Sequence, residues 1–290
     1  MRVLSWNIQW GRGCDGRVDL ARMASVLAAA GWPEVICLQE VAVNFPGLAG
    51  GSGEDEVAWI TAALPDYTPI YAPATDVPHA AGGRSQFGNM VLSRLPVLQV
   101  WRHLLPWPAD PALPSMQRVC LEAVVQASDG PLRVMTTHLE YYSAMQRLAQ
   151  AEALRGLHAE ACAQGRAQRI RQSGGASDST FAVLPRPARA VLCGDFNCKP
   201  DGAALVRLLA PYDDATPAWQ DAWCLAHAGQ PHAPTVGLHG CEWPDHAYCC
   251  DFMLVTADLA GAVAGLDVLS DTAASDHQPV LLSLRLPAGA

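Results

Sequence analysis

Short apolar runs alternate along this chain with stretches in which apolar residues recur every three or four positions. The runs predict strands over 2–7, 34–39, 88–93, 97–103, 118–126, 131–137, 189–194, 250–256 and 278–285. The longer period predicts helices over 18–30, 54–64, 143–163 and 201–210. The third helix carries the fullest signal. Ser143 and Gln146 make a capping box, and Ala144, Leu148, Ala151, Leu154 and Leu157 form an apolar stripe. Gln146, Arg147, Gln150, Glu152 and Arg155 fall largely off that stripe. Asp201 is placed to cap the fourth helix, with Leu205, Leu208 and Leu209 facing inward. Many strands with few helices between them predict sheets packed face to face with helices outside. No repeat and no linker divides the chain, so residues 1–290 read as a single domain.

Several apolar runs end in a polar residue. Ala190-Val191-Leu192-Cys193-Gly194-Asp195-Phe196-Asn197 stops at Gly194 and then offers a carboxylate and a carboxamide two positions apart. In an extended segment these lean the same way. A carboxylate beside an amide donor suits in-line attack on phosphate: one holds the water, the other binds the anionic oxygen. Ser275-Asp276-His277-Gln278-Pro279 adds an acid and an imidazole before a last strand. Asn7, Glu40 and His138 end other runs, and Asp251 opens one. Each alone has a structural explanation as a cap, a solvated acid or a buried hydrogen-bonded group. Repeated placement at strand tips is where sheet-based enzymes collect their chemistry.

Composition narrows the field. The chain has 290 residues, half hydrophobic and 16% charged, with net charge −9. That balance weighs against an avid nucleic-acid binder, but not against an enzyme that visits DNA briefly with metal ions. All but one of the 19 basic residues are Arg, the exception being Lys199. This reflects compositional bias or a use for bidentate phosphate forks. The ten cysteines include Cys37, Cys120 and Cys193 inside apolar runs. With no signal-peptide pattern, they are expected as reduced core thiols in a cytoplasmic protein. No apolar run reaches membrane-spanning length. His239, Cys241, His246, Cys249 and Cys250 crowd together but lack a CxxC pair, which argues against zinc there. Residues 47–53 are glycine-rich yet lack a GK[ST] ending. The acids Glu54-Asp55-Glu56 that follow suit a helix start, so the segment reads as a turn. Residues 165–190 hold five arginines against Asp178. They read either as a mobile surface insertion or as a basic flap beside an anionic substrate.

Taken in order, the polar strand tips resemble the endonuclease/exonuclease/phosphatase superfamily, the DNase I-like fold. The resemblance rests on SWNIQ (5–9), LQE (38–40), GNMVLSR (88–94), THL (137–139), GDFN (194–197), DFMLV (251–255) and SDHQPV (275–280), spanning nearly the whole chain. It implies an α/β four-layer sandwich and a Mg²⁺-dependent phosphoesterase, with Mn²⁺ able to substitute. By motif, Glu40 would be the principal metal ligand, with Asn7 beside it and Asp276 near the ion. Asp195 would orient or deprotonate the attacking water, Asn197 would hydrogen-bond the phosphoryl oxygen, and His277 would contact phosphate, held by Asp251. His138 would assist at the phosphate, as a histidine does in DNase I-like and sphingomyelinase-like members. Asn89 is expected near the site. Arg118 would pair either with phosphate or in a structural ion pair. Gln9 stands where abasic-site endonucleases carry Asp, and His138 where they carry Tyr, which sets the chain apart from that branch. The implied partner is a phosphoester, either nucleic acid or a small or lipid ester, with no obligate protein partner. A non-catalytic binding protein on the same fold is the alternative.

Overall fold

The computed structural model describes residues 1–171, 180, 182 and 184–287. Two six-stranded mixed sheets pack face to face. The first runs in the order β11-β12-β1-β2-β4-β3 and the second β5-β6-β7-β8-β10-β9. Their strands are β1 (Arg2–Asn7), β2 (Val35–Val43), β3 (Thr68–Pro78), β4 (Arg84–Ser93), β5 (Val97–Leu104), β6 (Val119–Ala127), β7 (Gly130–His138), β8 (Ala190–Asp195), β9 (Trp219–Asp221), β10 (Asp251–Thr256), β11 (Val263–Val268) and β12 (Val280–Leu284). In each sheet one parallel pair is followed by antiparallel neighbours: β1 with β2, and β7 with β8. The helices are α1 (Leu20–Ala29), α2 (Glu56–Ala63), α3 (Ala144–Arg171), α4 (Ala203–Leu209) and α5 (Ala222–Ala226).

Three apolar layers follow from this stacking. Val3, Val35, Cys37 and Val91 meet Leu121, Val134, Val191 and Met253 between the sheets. Leu4, Ile36 and Met90 pack under Met23, Leu27 and Ile60 of α1 and α2. Met135, Leu192 and Leu254 pack under Ala151, Leu154 and Leu205 of α3 and α4. The outcome is the four-layer α/β sandwich expected from the sequence.

All nine expected strands form. The three extra ones, β3, β9 and β11, each lie at a sheet edge. β3 carries Pro69, Pro73 and Pro78, which an edge tolerates because one side of the strand needs no ladder. The helix over 143–163 forms and buries Ala151 and Leu154 of the expected stripe, but its buried face also takes in polar residues. Gln146, Gln150, Arg155 and His158 are buried, whereas Leu148 is exposed. Loop carbonyls meet these polar groups: Gln146 donates to Pro108 O (2.7 Å), Gln150 to Pro106 O (3.3 Å), and Arg155 to Pro211 O (2.9 Å). Ser143 Oγ accepts from Gln146 N, but the Gln146 side chain does not reach back to complete the box. The cap of α4 is Gly202, not Asp201, and it has no side-chain hydrogen bond.

Of the insertion's arginines, Arg166 pairs with Asp214, Arg186 with Glu122 and Glu160, and Arg189 with Asp129. Residues 172–179, 181 and 183 and the side chains of Arg169 and Arg171 lie outside the described residues. Eight cysteines are free, including Cys37, Cys120 and Cys193. Cys14 and Cys241, far apart in sequence, form a disulfide, so the expectation of reduced thiols does not extend to them. No helix among the described residues is long and apolar enough to cross a membrane.

Candidate active site

The two parallel strand pairs deliver their C-terminal ends to one cleft. Asn7 ends β1, and Glu40 follows Gln39, its register partner on β2. On the opposite sheet His138 lies opposite Asp195, and Asp195 opposite Asp251. Local backbone geometry aims these groups. Gly194 has φ +138, and a Cβ there would collide with the Thr137 carbonyl, so only glycine lets β7 and β8 close this tightly. Asn197 sits at φ 49 and gives its N–H to Asp195 Oδ1 at 2.9 Å. Glu40 sits at φ 60 where β2 slips register between Leu38 and Val41, and this bulge turns its carboxylate into the cleft.

The side chains then form one connected set. Asn7 Nδ2 donates to Glu40 Oε1 at 3.0 Å and to Asp195 Oδ2 at 3.1 Å. Its Oδ1 accepts from Gln9 N, so the amide turns nitrogen toward the acids. His277 Nε2 lies 3.6 Å from Asp195 Oδ2, and its Nδ1 lies 2.9 Å from Asp251 Oδ2. Asn197 Nδ2 donates to His138 Nε2 at 2.9 Å. His138 also lies 3.5 Å from Asp195 and, through Nδ1, 3.8 Å from Glu40, supplying the carboxylate neighbours that its sequence context did not reveal. Gln9 Nε2 holds Asp276 Oδ2 at 2.8 Å.

Burial and mutual repulsion shape the charges. Burial first, and then the nearby Asp276 charge, push Glu40 up to about 7. Burial likewise raises Asp195 to about 6, against the pull of His277. Burial also raises Asp276. For His277, burial opposes the charged ring, but Asp251 and Asp195 outweigh it and raise the pKa well above the ordinary value. For His138, burial, Arg118 and His277 all act downward, so that ring is neutral.

Two expected residues sit at the margin. Arg118 makes a buried ion pair with Glu140 at 3.2 Å, realising the structural alternative. Asn89 donates to Val119 O at 2.9 Å, tying β4 to β6 across the sandwich. The sequence did not single out Thr235, whose hydroxyl donates to Asp251 Oδ2 at 2.6 Å. Nor did it single out Gln39, which donates to Thr136 Oγ1 at 2.8 Å between the sheets, although it lies inside the LQE motif. The cysteine–histidine group weighed for zinc is dispersed: Cys241 is disulfide-bonded, His239 meets Ser270 O, and His246 meets Asp245.

Residues 4–277 match the Endonuclease/Exonuclease/phosphatase family. The chain belongs to that family. Its DNase I-like architecture is shared with a solved endonuclease/exonuclease/phosphatase from Beutenbergia cavernae DSM 12333. That structure is 25% identical, with TM-score 0.66, covering 99% of this chain and 71% of that one. A mannosyl-6-phosphatase from Bacteroides thetaiotaomicron VPI-5482 aligns at 15% identity and TM-score 0.65, over 98% of this chain and 99% of that one. The human Nocturnin catalytic domain with bound sulfate aligns at 18% identity and TM-score 0.57, over 97% and 92%. No curated protein matches the chain in sequence.

Proposed function

We propose that this family member is a divalent-metal-dependent phosphoesterase that hydrolyses its substrate by direct, in-line attack of water. One observation carries the proposal. Asp195 meets Asn7, His138 and His277 at once, while Asn7 also binds Glu40. Four carboxylates (Glu40, Asp195, Asp251 and Asp276) crowd one buried cleft against a single imidazolium, a donor set that suits a hard cation. Glu40 and Asp276 would hold Mg²⁺ or Mn²⁺, with Asn7 beside them. The ion would supply charge neutralisation at the phosphate and leaving oxygen.

The protein's own groups do the rest. Asp195 orients the water and accepts its proton. Asn197, with its amide beside His138, donates to a phosphoryl oxygen. His277, kept charged by Asp251, faces the same oxygens, and neutral His138 offers a further hydrogen bond without repelling the cation. Arg118 and Asn89 stand behind these groups and support the cleft wall. Beside Asn197 lies a cavity of about 540 Å³ lined by Tyr141, Trp243, Tyr248 and Lys199. Room on that scale favours an ester with an organic group over a bare phosphate, and aromatic walls suit rings of either nucleic acid or small esters.

The test is a Mg²⁺/Mn²⁺ activity screen over plasmid DNA, single-stranded RNA, bis-para-nitrophenyl phosphate, nucleotides and sphingomyelin. Asp195→Asn or His277→Ala should lower turnover on the best substrate by ~10²–10⁴ with folding intact. Glu40→Gln should weaken the metal dependence. A steep loss of activity with salt would identify a polynucleotide substrate, and a shallow one a small ester. Full activity in the Asp195 variant, or no hydrolysis and no metal binding at all, would overturn the proposal.

A further inference from the structure

We propose that Asp221, Cys224 and His232 form a second metal site, selective for a thiophilic divalent cation of the zinc class and distinct from the catalytic cleft. One ligand atom from each of the three lies within 4.8 Å of the others. Carboxylate, thiolate and imidazole are the donors zinc takes, and they are a poor match for Mg²⁺. Asp221 and Cys224 are separated by one helical turn, Asp221 being the cap residue of α5.

Asp221 and His232 are held in place before any ion arrives. Asp221 Oδ1 is fixed by Trp223 N at 2.8 Å, which leaves Oδ2 directed at His232 Nε2, 2.7 Å away. The His232 ring stacks on Trp223 at 5.9 Å and meets Phe252 edge-on at 5.6 Å. Asp221 is buried, His232 half-buried and Cys224 exposed, so an ion enters from the sulfur side and keeps an open position for water. Behind the cluster a cavity of about 10 Å³ is lined by Asp221, His232, Thr235 and Asp251, leaving room for slight spreading of the ligands.

Binding balances simply. The Cys224 thiol loses its proton to solvent, the His232 ring proton moves from Nε2 to Nδ1, and the cation bonds to sulfur, nitrogen and carboxylate oxygen. One proton is released, so affinity rises with pH. Thr235, three residues after His232, donates to Asp251, and an ion here would anchor the segment that orients the catalytic pair.

The experiment titrates chelator-stripped protein, its Cys14–Cys241 disulfide kept intact, with Co²⁺. One equivalent should produce a near-ultraviolet thiolate-to-cobalt band, which a site of oxygen and nitrogen ligands alone cannot give. Cys224→Ser should abolish the band. Asp221→Asn, which keeps an acceptor for the α5 cap, should weaken binding at least tenfold. With Mg²⁺ saturating the catalytic cleft, one equivalent of Zn²⁺ should raise the melting temperature of the native protein by a few degrees and leave that of the Cys224 variant unmoved. No band at one equivalent, or a band that survives Cys224→Ser, would overturn the proposal whatever hydrolysis the protein shows.

Discussion

Two imidazoles lie within 3.6 Å of the same Asp195 carboxylate, yet their other charged neighbours leave them in opposite states. His277 has a second acid, Asp251, at 2.9 Å, so it keeps its proton. His138 is pushed down by burial, by Arg118 and by His277, and its Nε2 already accepts from Asn197. One site thus holds a charged and a neutral imidazole at neutral pH, a division of labour set by environment alone. Thr235 completes the charged half. Its hydroxyl donates to Asp251 and accepts from Cys250 N and Asp251 N at 3.2 Å. Thr235→Val keeps the shape but removes the hydrogen bond to a charged acceptor. It should lower kcat about tenfold with little change in KM, and Thr235→Ser should restore it. Steady-state kinetics of the two variants decide the point. A kcat unchanged in the valine variant would mean Asp251 needs no such support.

Element geometry explains how a strand can present Glu40, the proposed metal ligand, to the cleft. The slip in β2 frees backbone groups near Glu40, and Glu56, the first residue of α2, takes one of them: its Oε2 accepts from Ala42 N at 2.8 Å. Tyr71 of β3 donates to Val41 O at 3.1 Å on the same stretch. Glu56 is almost fully buried, and burial raises its carboxyl to about 8. The sign follows directly. The folded state holds the Glu56 proton more tightly than the unfolded chain, so this group's stability is fully present below the ordinary value of 4.5 and is lost as pH rises through about 8. Glu56→Gln keeps an acceptor for Ala42 and cannot ionise. It should match the native protein in denaturant unfolding at pH 5 and exceed it at pH 9, by on the order of 3 kcal/mol. Equal stabilities at pH 9 would show that Glu56 is free to ionise in place.

At the scale of the whole molecule, a buried charge network fastens the second sheet to α3. Glu122 of β6 meets Arg186 at 3.0 Å, Arg133 at 3.5 Å and His103 at 3.1 Å. Arg186 also lies 4.4 Å over the Trp101 ring and reaches Glu160 of α3 at 3.1 Å. Burial alone would raise the Glu122 pKa. His103, Arg186 and Arg133 outweigh it and bring the pKa to about 2. Stability from this acid is therefore present above 4.5 and disappears as pH falls through about 2. Acid titration followed by circular dichroism should show a loss on the order of 3 kcal/mol across that window. Glu122→Gln should lack that component, and should be ~3–5 kcal/mol less stable at pH 7 because the buried Arg133 and Arg186 guanidinium groups lose the carboxylate they share. A variant as stable as the native protein at pH 7 would remove the network from the account of stability.

The hydrophobic pattern by itself determined the sandwich and its interior strands, because a strand buried on both faces must be apolar over its whole length. The polar residues ending those strands were legible for the same reason: each interrupts a run that packing would otherwise keep apolar. Edge strands β3, β9 and β11 were not legible, since an edge has fewer neighbours to satisfy and accepts proline, glycine and charge. The polar part of the buried face of α3 was also hidden, because Gln146, Gln150 and Arg155 look solvent-facing until loop carbonyls from elsewhere in the chain meet them. Only the tertiary structure decided which distant groups touch. It paired His138 with Glu40 and Asp195, Thr235 with Asp251, Cys14 with Cys241, and Asp221 with His232. Such contacts depend on sheet register and loop closure across the chain, and no local period encodes them.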